Sequence, residues 1–187
     1  KQKNDSLLCI VYGALGEYSA NIDADYYQAI RYLYKGIELA QQKRNRRQYG
    51  LMLSQLANTY YLKRDGGGLK YALESYELGC ELNDSYLIYS GAIQSAYMYF
   101  LNKQHTQAMA YVQEAETLMK KNNFYDQAHT FNLLGQLLYE LGDYPQAIEY
   151  YRKAMKDKQT SQTSSVIYAY LGYARVLMKQ NNYQEAT

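Results

Sequence analysis

The chain has 187 residues and carries 20 basic and 18 acidic side chains, which gives a net charge of +2 at neutral pH. Acids and bases are interspersed, so the charge pattern does not indicate a nucleic-acid-binding surface. No apolar run approaches the roughly 18 residues of a membrane-spanning helix, and no signal peptide is visible, which favours a cytoplasmic location.

Tyrosine is the dominant aromatic residue, with 25 copies against 3 Phe and no Trp. Cys9 and Cys80 are the two cysteines, and no Cys-x-x-Cys or Cys/His spacing accompanies them. We therefore expect two free, buried thiols and neither a metal site nor a cofactor.

A frame of residues recurs along the chain at positions i, i+4 and i+7, with a small residue first, a larger one second and a small one third. In chain order the sets are Ala29, Leu33, Gly36; Ala72, Tyr76, Gly79; Ala108, Val112, Ala115; and Ala147, Tyr151, Ala154. Residues at this spacing share one face of an α-helix. Another segment with helical periodicity precedes each set in the sequence. Together the two segments predict helical hairpins that start near residues 6, 50, 89, 128 and 167.

The fourth copy is the most complete. Its first helix carries Phe131, Leu134, Gly135 and Leu138 on one face. A glycine in a helix costs roughly 1 kcal/mol relative to Ala, so Gly135 predicts a close contact with another helix. Gly142 and Asp143 should end this helix and begin the next, and Pro145, the single proline of the chain, should fall in the first turn of that next helix.

The fourth copy resembles a tetratricopeptide repeat, whose W-x2-L-G-x2-Y and A-x3-F signature it follows with other aromatic residues. The resemblance implies an all-α fold, a right-handed α-solenoid of antiparallel hairpins, each made of a helix A and a helix B. It covers residues 1–187 as one array with repeats at about 6–49, 50–88, 89–127, 128–166 and 167–187. The last repeat, with Asn182 to Ala186 at the start of its helix B, is truncated.

Two features depart from the family pattern. The period is about 39 residues rather than 34, which longer helices would explain. The first two hairpins also have longer turns, Ser19 to Asp25 and Asp65 to Gly68, and both should project from one edge.

The resemblance implies that helix A lines a concave surface that binds a protein or peptide segment. Amide side chains can bond an extended backbone, and aromatic side chains provide anchoring area. The residues predicted to form this face are Asn58, Tyr61, Gln94, Tyr97, His129, Asn132, Gln136, Tyr139 and Arg175.

Other interpretations remain open. His105 and His129 lack partners at catalytic or ligand spacing, so an enzyme is not expected. The basic run from Lys43 to Arg47 is either a solvated turn or a patch for an anionic ligand.

The long period resembles arrays that act as sensor or regulatory segments of larger proteins, and we expect this chain to be a fragment of one. The alternatives are a structural subunit that packs through its convex face or its array ends, and an accessory regulator of an enzyme.

Overall fold

The structure, a computed structural model, describes residues 2–122, 124, 127–156 and 163–180, with side chains from residue 7 in the first helix and from residue 166 in the last. Every regular element in these ranges is helical, and none is a strand. The predicted all-α class is therefore confirmed. The described chain forms two compact units, which meet between Gln104 and His105.

The first unit contains five α-helices: α1 (Gln2–Asn21), α2 (Tyr26–Gln42), α3 (Arg46–Leu62), α4 (Leu69–Leu82) and α5 (Ser85–Leu101). Successive helices pack side by side, and α1 also contacts α3, as α3 contacts α5. Leu33 of α2 and Leu53 and Leu56 of α3 lie at the centre of its core. Within this unit, helix A of each repeat thus contacts helix A of the next, as in an array of antiparallel hairpins.

The second unit contains α6 (His105–Asn122), α7 (Gln127–Glu140), α8 (Tyr144–Lys156) and α9 (Thr163–Lys179). Here α7 packs against α6, α8 and α9, and α8 also packs against α9. The start of each predicted repeat falls in the first turn or two of a helix: α1, α3, α5, α7 or α9. The proposed beginning of a helix B at Asn182 lies outside the described residues.

The predicted small–large–small frame lies on the inner face of helix B. In the second unit Ala147, Tyr151 and Ala154 are at most 2% exposed, and Ala108, Val112 and Ala115 are fully buried. In the first unit Ala29, Leu33 and Ala72 are fully buried, whereas Tyr76 is half-buried. Local 3.6-residue periodicity is enough to locate this face, because it depends only on which side of one helix is apolar.

Tyr151 explains why helix A carries a glycine. A Cβ built at Gly135 on α7 would lie 2.7 Å from Cε1 of the Tyr151 ring, and one at Gly172 on α9 only 2.3 Å from it. The ring therefore lies against two glycines on two different helices. This confirms the predicted close approach at Gly135 and adds Gly172 to it.

Most helix junctions share one compact design. A residue with positive φ precedes the start of the next helix at six places: Ala24, Arg44, Arg64, Asn83, Lys103 and Gly142. Between α2 and α3, the Arg44 N–H donates to the Gln41 carbonyl (3.0 Å) and the Asn45 N–H to the Ala40 carbonyl (2.9 Å). This is the Schellman pattern of helix termination. The same pair of bonds recurs at the five junctions from Arg44 onward.

The residue that completes this pattern also starts the next helix. Asn45 Oδ1 accepts a hydrogen bond from the Gln48 N–H (3.1 Å), and Asp143 Oδ1 accepts one from Gln146 (3.2 Å). Asp84 does the same for both Tyr86 and Leu87. Side-chain acceptors at this position satisfy the free N–H groups of the first turn. The predicted roles of Gly142 and Asp143 are confirmed, as is the position of Pro145 in the first turn of α8.

Three local expectations were wrong. The Asp65–Gly68 turn does not project: Gly66–Gly68 form a short 3-10 helix, Gly68 is buried, and its Cβ would meet Tyr60 at 2.5 Å. Ser19 and Ala20 are likewise buried within α1, which leaves only the residues from Asn21 to Asp25 exposed. Cys80 is exposed rather than buried, whereas Cys9 is buried, and both are free thiols.

Candidate peptide-binding face

Helices α3 and α5 lie side by side in a constant register. Ser54 Oγ is 2.6 Å from Ser90 Oγ, and the rings of Tyr61 and Tyr97 lie 4.6 Å apart at 41°. Both pairs join residues that are 36 positions apart. We call the six side chains of this register the α3–α5 face: Ser54, Asn58, Tyr61, Ser90, Gln94 and Tyr97.

The same register places Asn58 beside Gln94, between the serine pair and the tyrosine pair. Both amides are half-buried. Gln94 Oε1 is fully enclosed and has no hydrogen-bond partner among the described residues. A buried acceptor without a partner costs about 1–3 kcal/mol. The middle of the face therefore holds an amide whose hydrogen-bonding capacity is not used within the fold.

The two tyrosines of this face have different surroundings. Tyr97 is only 9% exposed, so it belongs to the helix packing and is not the open anchor that the sequence predicted. Tyr61 is half-buried, stacks on Tyr97 and has the Arg64 guanidinium 5.7 Å from its ring centroid. Tyr61 is therefore the side chain of this pair that a partner can reach.

The second unit carries the other five predicted residues on α7 and α9. His129, Gln136 and Tyr139 are half-buried, while Asn132 is 3% exposed and cannot present its amide to a partner without rearrangement. Arg175 of α9 is exposed, and its guanidinium carbon lies 4.9 Å from the Tyr139 ring centroid.

Tyr139 in turn packs against Tyr144 of α8, with ring centroids 5.6 Å apart. Cations over an aromatic face are attracted by about 0.5–1 kcal/mol at exposed sites. The structure thus brings Tyr139 and Arg175 together, as a patch that combines an aromatic surface with one positive charge.

Charge is scarce on these faces. The α3–α5 face has no ionisable group other than its two tyrosines, and Arg175 is the one charged member of the predicted set. Such a surface can recognise backbone amides and apolar side chains, and it gives little long-range attraction.

A cleft between α2 and α4 was not predicted from the sequence. It consists of two adjoining cavities of about 430 and 620 Å³ that share Gln41, Tyr49 and Glu74 in their walls. The Tyr49 hydroxyl donates a hydrogen bond to Glu74 Oε1. Burial, together with this carboxylate, raises the pKa of Tyr49 to about 12. The spacing of Glu74, Glu77 and Glu81 at i, i+3 and i+7 was visible in the sequence, but the cleft exists only because α2 and α4 both pack against α3.

Two of the four basic side chains in the run at the mouth of this cleft form ion pairs. Arg46 forms an ion pair with Glu81, and Arg47 Nε lies 2.5 Å from Asp84 Oδ2. Burial raises the pKa of Asp84, but the Leu87 and Tyr86 N–H groups and the Arg47 guanidinium outweigh it and leave that pKa below its usual value. These pairs fit the structural interpretation of the run better than the anionic-ligand one.

Within the described residues, no group of three or more His, Cys, Asp or Glu side chains could hold a metal ion. His105 begins α6, and His129 lies in the first turn of α7. None of the described helices has the length and apolar character needed to cross a bilayer.

Comparison with known proteins agrees with this geometry. Residues 88–159, which include most of α5 and all of α7 and α8, match the family model described as tetratricopeptide repeat. Among solved structures, BtubC (BKLC) from P. vanneervenii is similar over 95% of this chain and 77% of its own, with a TM-score of 0.70 and 17% sequence identity. At this identity the likeness concerns the fold alone. No curated protein sequence matches the chain.

Proposed function

We propose that the chain is a non-catalytic module that binds an extended protein or peptide segment along its A helices. The match of residues 88–159 to the tetratricopeptide-repeat model supports this proposal, because such repeats generally mediate protein–protein interaction. The observation that carries this proposal is the α3–α5 face. Asn58 and Gln94 lie in register between the Ser54–Ser90 and Tyr61–Tyr97 contacts, and Tyr61 is accessible beside them.

The chemistry of this face suits a peptide backbone. Asn58 and Gln94 each carry an amide donor and an amide acceptor. Gln94 Oε1 has no partner in the free chain, and because it is enclosed, this amide must turn outward before the oxygen can accept a bond from a peptide. Tyr61 supplies rigid area for an apolar side chain of the segment. In the second unit, Gln136 and the Tyr139–Arg175 patch offer the same combination with one cation, which favours a segment that carries an acidic residue there.

The proposal extends to the role of the module. The period of about 39 residues supports a sensor or regulatory segment, in which the bound peptide would be the signal. Tyr61→Ala should then abolish the response of the protein to the peptide.

A peptide library displayed on phage and selected against the 187-residue chain would test the binding proposal. Selected peptides should bind Tyr61→Ala at least tenfold more weakly than the unaltered chain, since a buried aromatic anchor contributes about 2 kcal/mol or more. The matched control is Tyr27→Ala, which removes a tyrosine that is 74% exposed on helix α2.

Isothermal titration at two salt concentrations completes the test. Binding at the α3–α5 face should depend little on salt, because that face is uncharged. Equal affinity of Tyr61→Ala and the unaltered chain would refute the assignment of this face.

A further inference from the structure

A tyrosine–glutamate pair that joins two helices occurs in each of the two units. In the second unit, the Tyr150 hydroxyl of α8 donates a hydrogen bond to Glu116 Oε2 of α6 (3.5 Å). In the first unit, the Tyr49 hydroxyl of α3 donates one to Glu74 Oε1 of α4. Both pairs present a carboxylate beside an aromatic ring, but the side chains that accompany them differ.

Lysine ammonium groups accompany the pair in the second unit. Lys120 Nζ lies 2.8 Å from Glu116 Oε1, and Lys153 Nζ lies 4.4 Å from the centroid of the Tyr150 ring. The carboxylate thus attracts one cation by its charge, and the ring attracts another through its face. This unit therefore shows which chemical group a tyrosine–glutamate pair of this chain can bind, namely an ammonium on an alkyl stem.

The pair in the first unit has no such cation. Among the described residues, no basic side chain lies within ion-pair distance of Glu74, and the same is true of Glu38 and Glu77. Lys70, one turn before Glu74 on α4, lies over the Tyr71 ring instead, with its Nζ 4.7 Å from the ring centroid. The first unit thus has the same carboxylate and ring, without the ammonium.

This pair lies in the wall of the cleft between α2 and α4. Tyr49 and Glu74 border both of its cavities, whose volumes of about 430 and 620 Å³ are typical of small-molecule sites. Glu38 lies in the wall of the first cavity and Glu77 in the wall of the second. All wall residues belong to α2, α3, α4 or the turn between α2 and α3, so the first unit alone forms the cleft.

The walls also suit a hydrocarbon chain. Ile37 and Leu53 line the first cavity and Leu78 lines the second, and such side chains can cover the methylene groups of an amine. Four carboxylates and three basic side chains border the cleft, and one of these carboxylates already pairs with Arg46. A ligand that matches these walls has several ammonium groups separated by methylenes.

We propose that the α2–α4 cleft binds a linear aliphatic polyamine, with one ammonium on Glu74 and against the Tyr49 ring, and a second on Glu38 or Glu77. The methylenes lie along the apolar wall between them. A lysine side chain has the same ammonium chemistry but brings only one cation to three carboxylates. Because these carboxylates are exposed, we expect a dissociation constant on the order of 0.1 mM. The site is separate from the α3–α5 face.

Isothermal titration of the 187-residue chain with spermidine measures this binding. Glu74→Gln keeps the size of the side chain and removes its charge, so it should weaken binding roughly fivefold or more. Glu149→Gln is the matched control, because Glu149 follows Ala147 on α8 by two residues, as Glu74 follows Ala72 on α4, and lies outside the cleft. It should leave the affinity unchanged, and circular dichroism should show equal helix content in both variants.

Two further ligands identify the chemistry and its source. The diol 1,8-octanediol, which has a similar length and no charge, should not bind, and the peptide acetyl-Ala-Lys-Ala-amide should bind roughly tenfold more weakly than spermidine. Tyr61→Ala should bind spermidine as the unaltered chain does, which separates this site from the proposed peptide-binding face.

Four results would overturn the proposal. They are the absence of saturable spermidine binding up to about 10 mM, equal effects of Glu74→Gln and Glu149→Gln, a diol that binds as well as the amine, and a lysine peptide that binds as tightly as spermidine. The last result would identify a protein segment, and not a free polyamine, as the source of the ammonium.

Discussion

Replacing Gly172 by Ala should destabilise the second unit, even though Ala is the better helix former. The added Cβ would lie 2.3 Å from both Cε1 and Cζ of Tyr151, closer than real carbon contacts permit. The ring is 2% exposed and cannot turn towards solvent, and its other neighbour is Gly135 on α7. Relief therefore requires movement of a helix.

The magnitude follows from two opposing effects. Overpacking a tight site costs about 1–3 kcal/mol, and removal of a helical glycine returns about 1 kcal/mol. We expect Gly172→Ala to lower the free energy of unfolding by up to about 2 kcal/mol, which corresponds to a fall in Tm of at most roughly 8–16 °C for a unit of this size. Gly135→Ala should cost less, because its Cβ would be 2.7 Å from the ring.

Thermal melts by circular dichroism, with guanidinium titrations for the free energies, would measure both variants. A double-mutant cycle with Tyr151→Leu isolates the contact, and the coupling between positions 151 and 172 should reach at least about 1 kcal/mol. If Gly172→Ala melts at or above the temperature of the unaltered chain, or if the coupling is zero, the ring does not hold the two helices apart as described.

Three further predictions concern the cap at Asp84, the pKa of Tyr151 and the strained Ala24. Asp84→Ala should lower the free energy of unfolding, measured by urea denaturation, by about 1–2 kcal/mol because the cap of α5 is lost. Asp84→Asn keeps the cap and loses only the charge that pairs with Arg47, so it should lower that free energy by less. Equal losses in the two variants would contradict a capping role. Burial raises the pKa of Tyr151 from 10.0 to about 12, so the stability it contributes is complete below about pH 10 and is lost as the pH rises towards 12. Tyr151→Phe should therefore show a smaller alkaline decline in Tm, and an unchanged decline would count against the buried phenol. Ala24 has a φ of 52°, and left-handed backbone strains a residue with a Cβ, so Ala24→Gly should raise the free energy of unfolding by up to about 1 kcal/mol. The control Ala110→Gly in α6 should lower that free energy by about 1 kcal/mol. A lower Tm for Ala24→Gly would mean that the turn is not strained.

The sequence was informative wherever structure depends on one helix and its own turn. The buried faces around Ala147 and Ala108, the contact at Gly135 and the junction at Gly142 follow from helical periodicity and from local backbone preferences. These signals lie within a few residues of each other, so they can be read without knowing the neighbours.

What could not be predicted depends on a second helix. Tyr97 occupies a helix A position that resembles the one an exposed anchor would occupy, and only the approach of α3 with Tyr61 makes it buried. Gly68 is buried for the same reason, since Tyr60 and Met98 close over the turn. The cleft beside Tyr49 is likewise set by which neighbours are present.

The shared junction residues have a consequence for how chains of this kind can change length. Asn45, Asp65, Asp84 and Asp143 each complete the termination of one helix and begin the next, so these junctions contain no spare residue. An insertion or deletion there disrupts two helix ends at once, unlike one in an ordinary surface loop. Lengthening is tolerated more readily by whole helical turns inside an element, which keep the buried face in register.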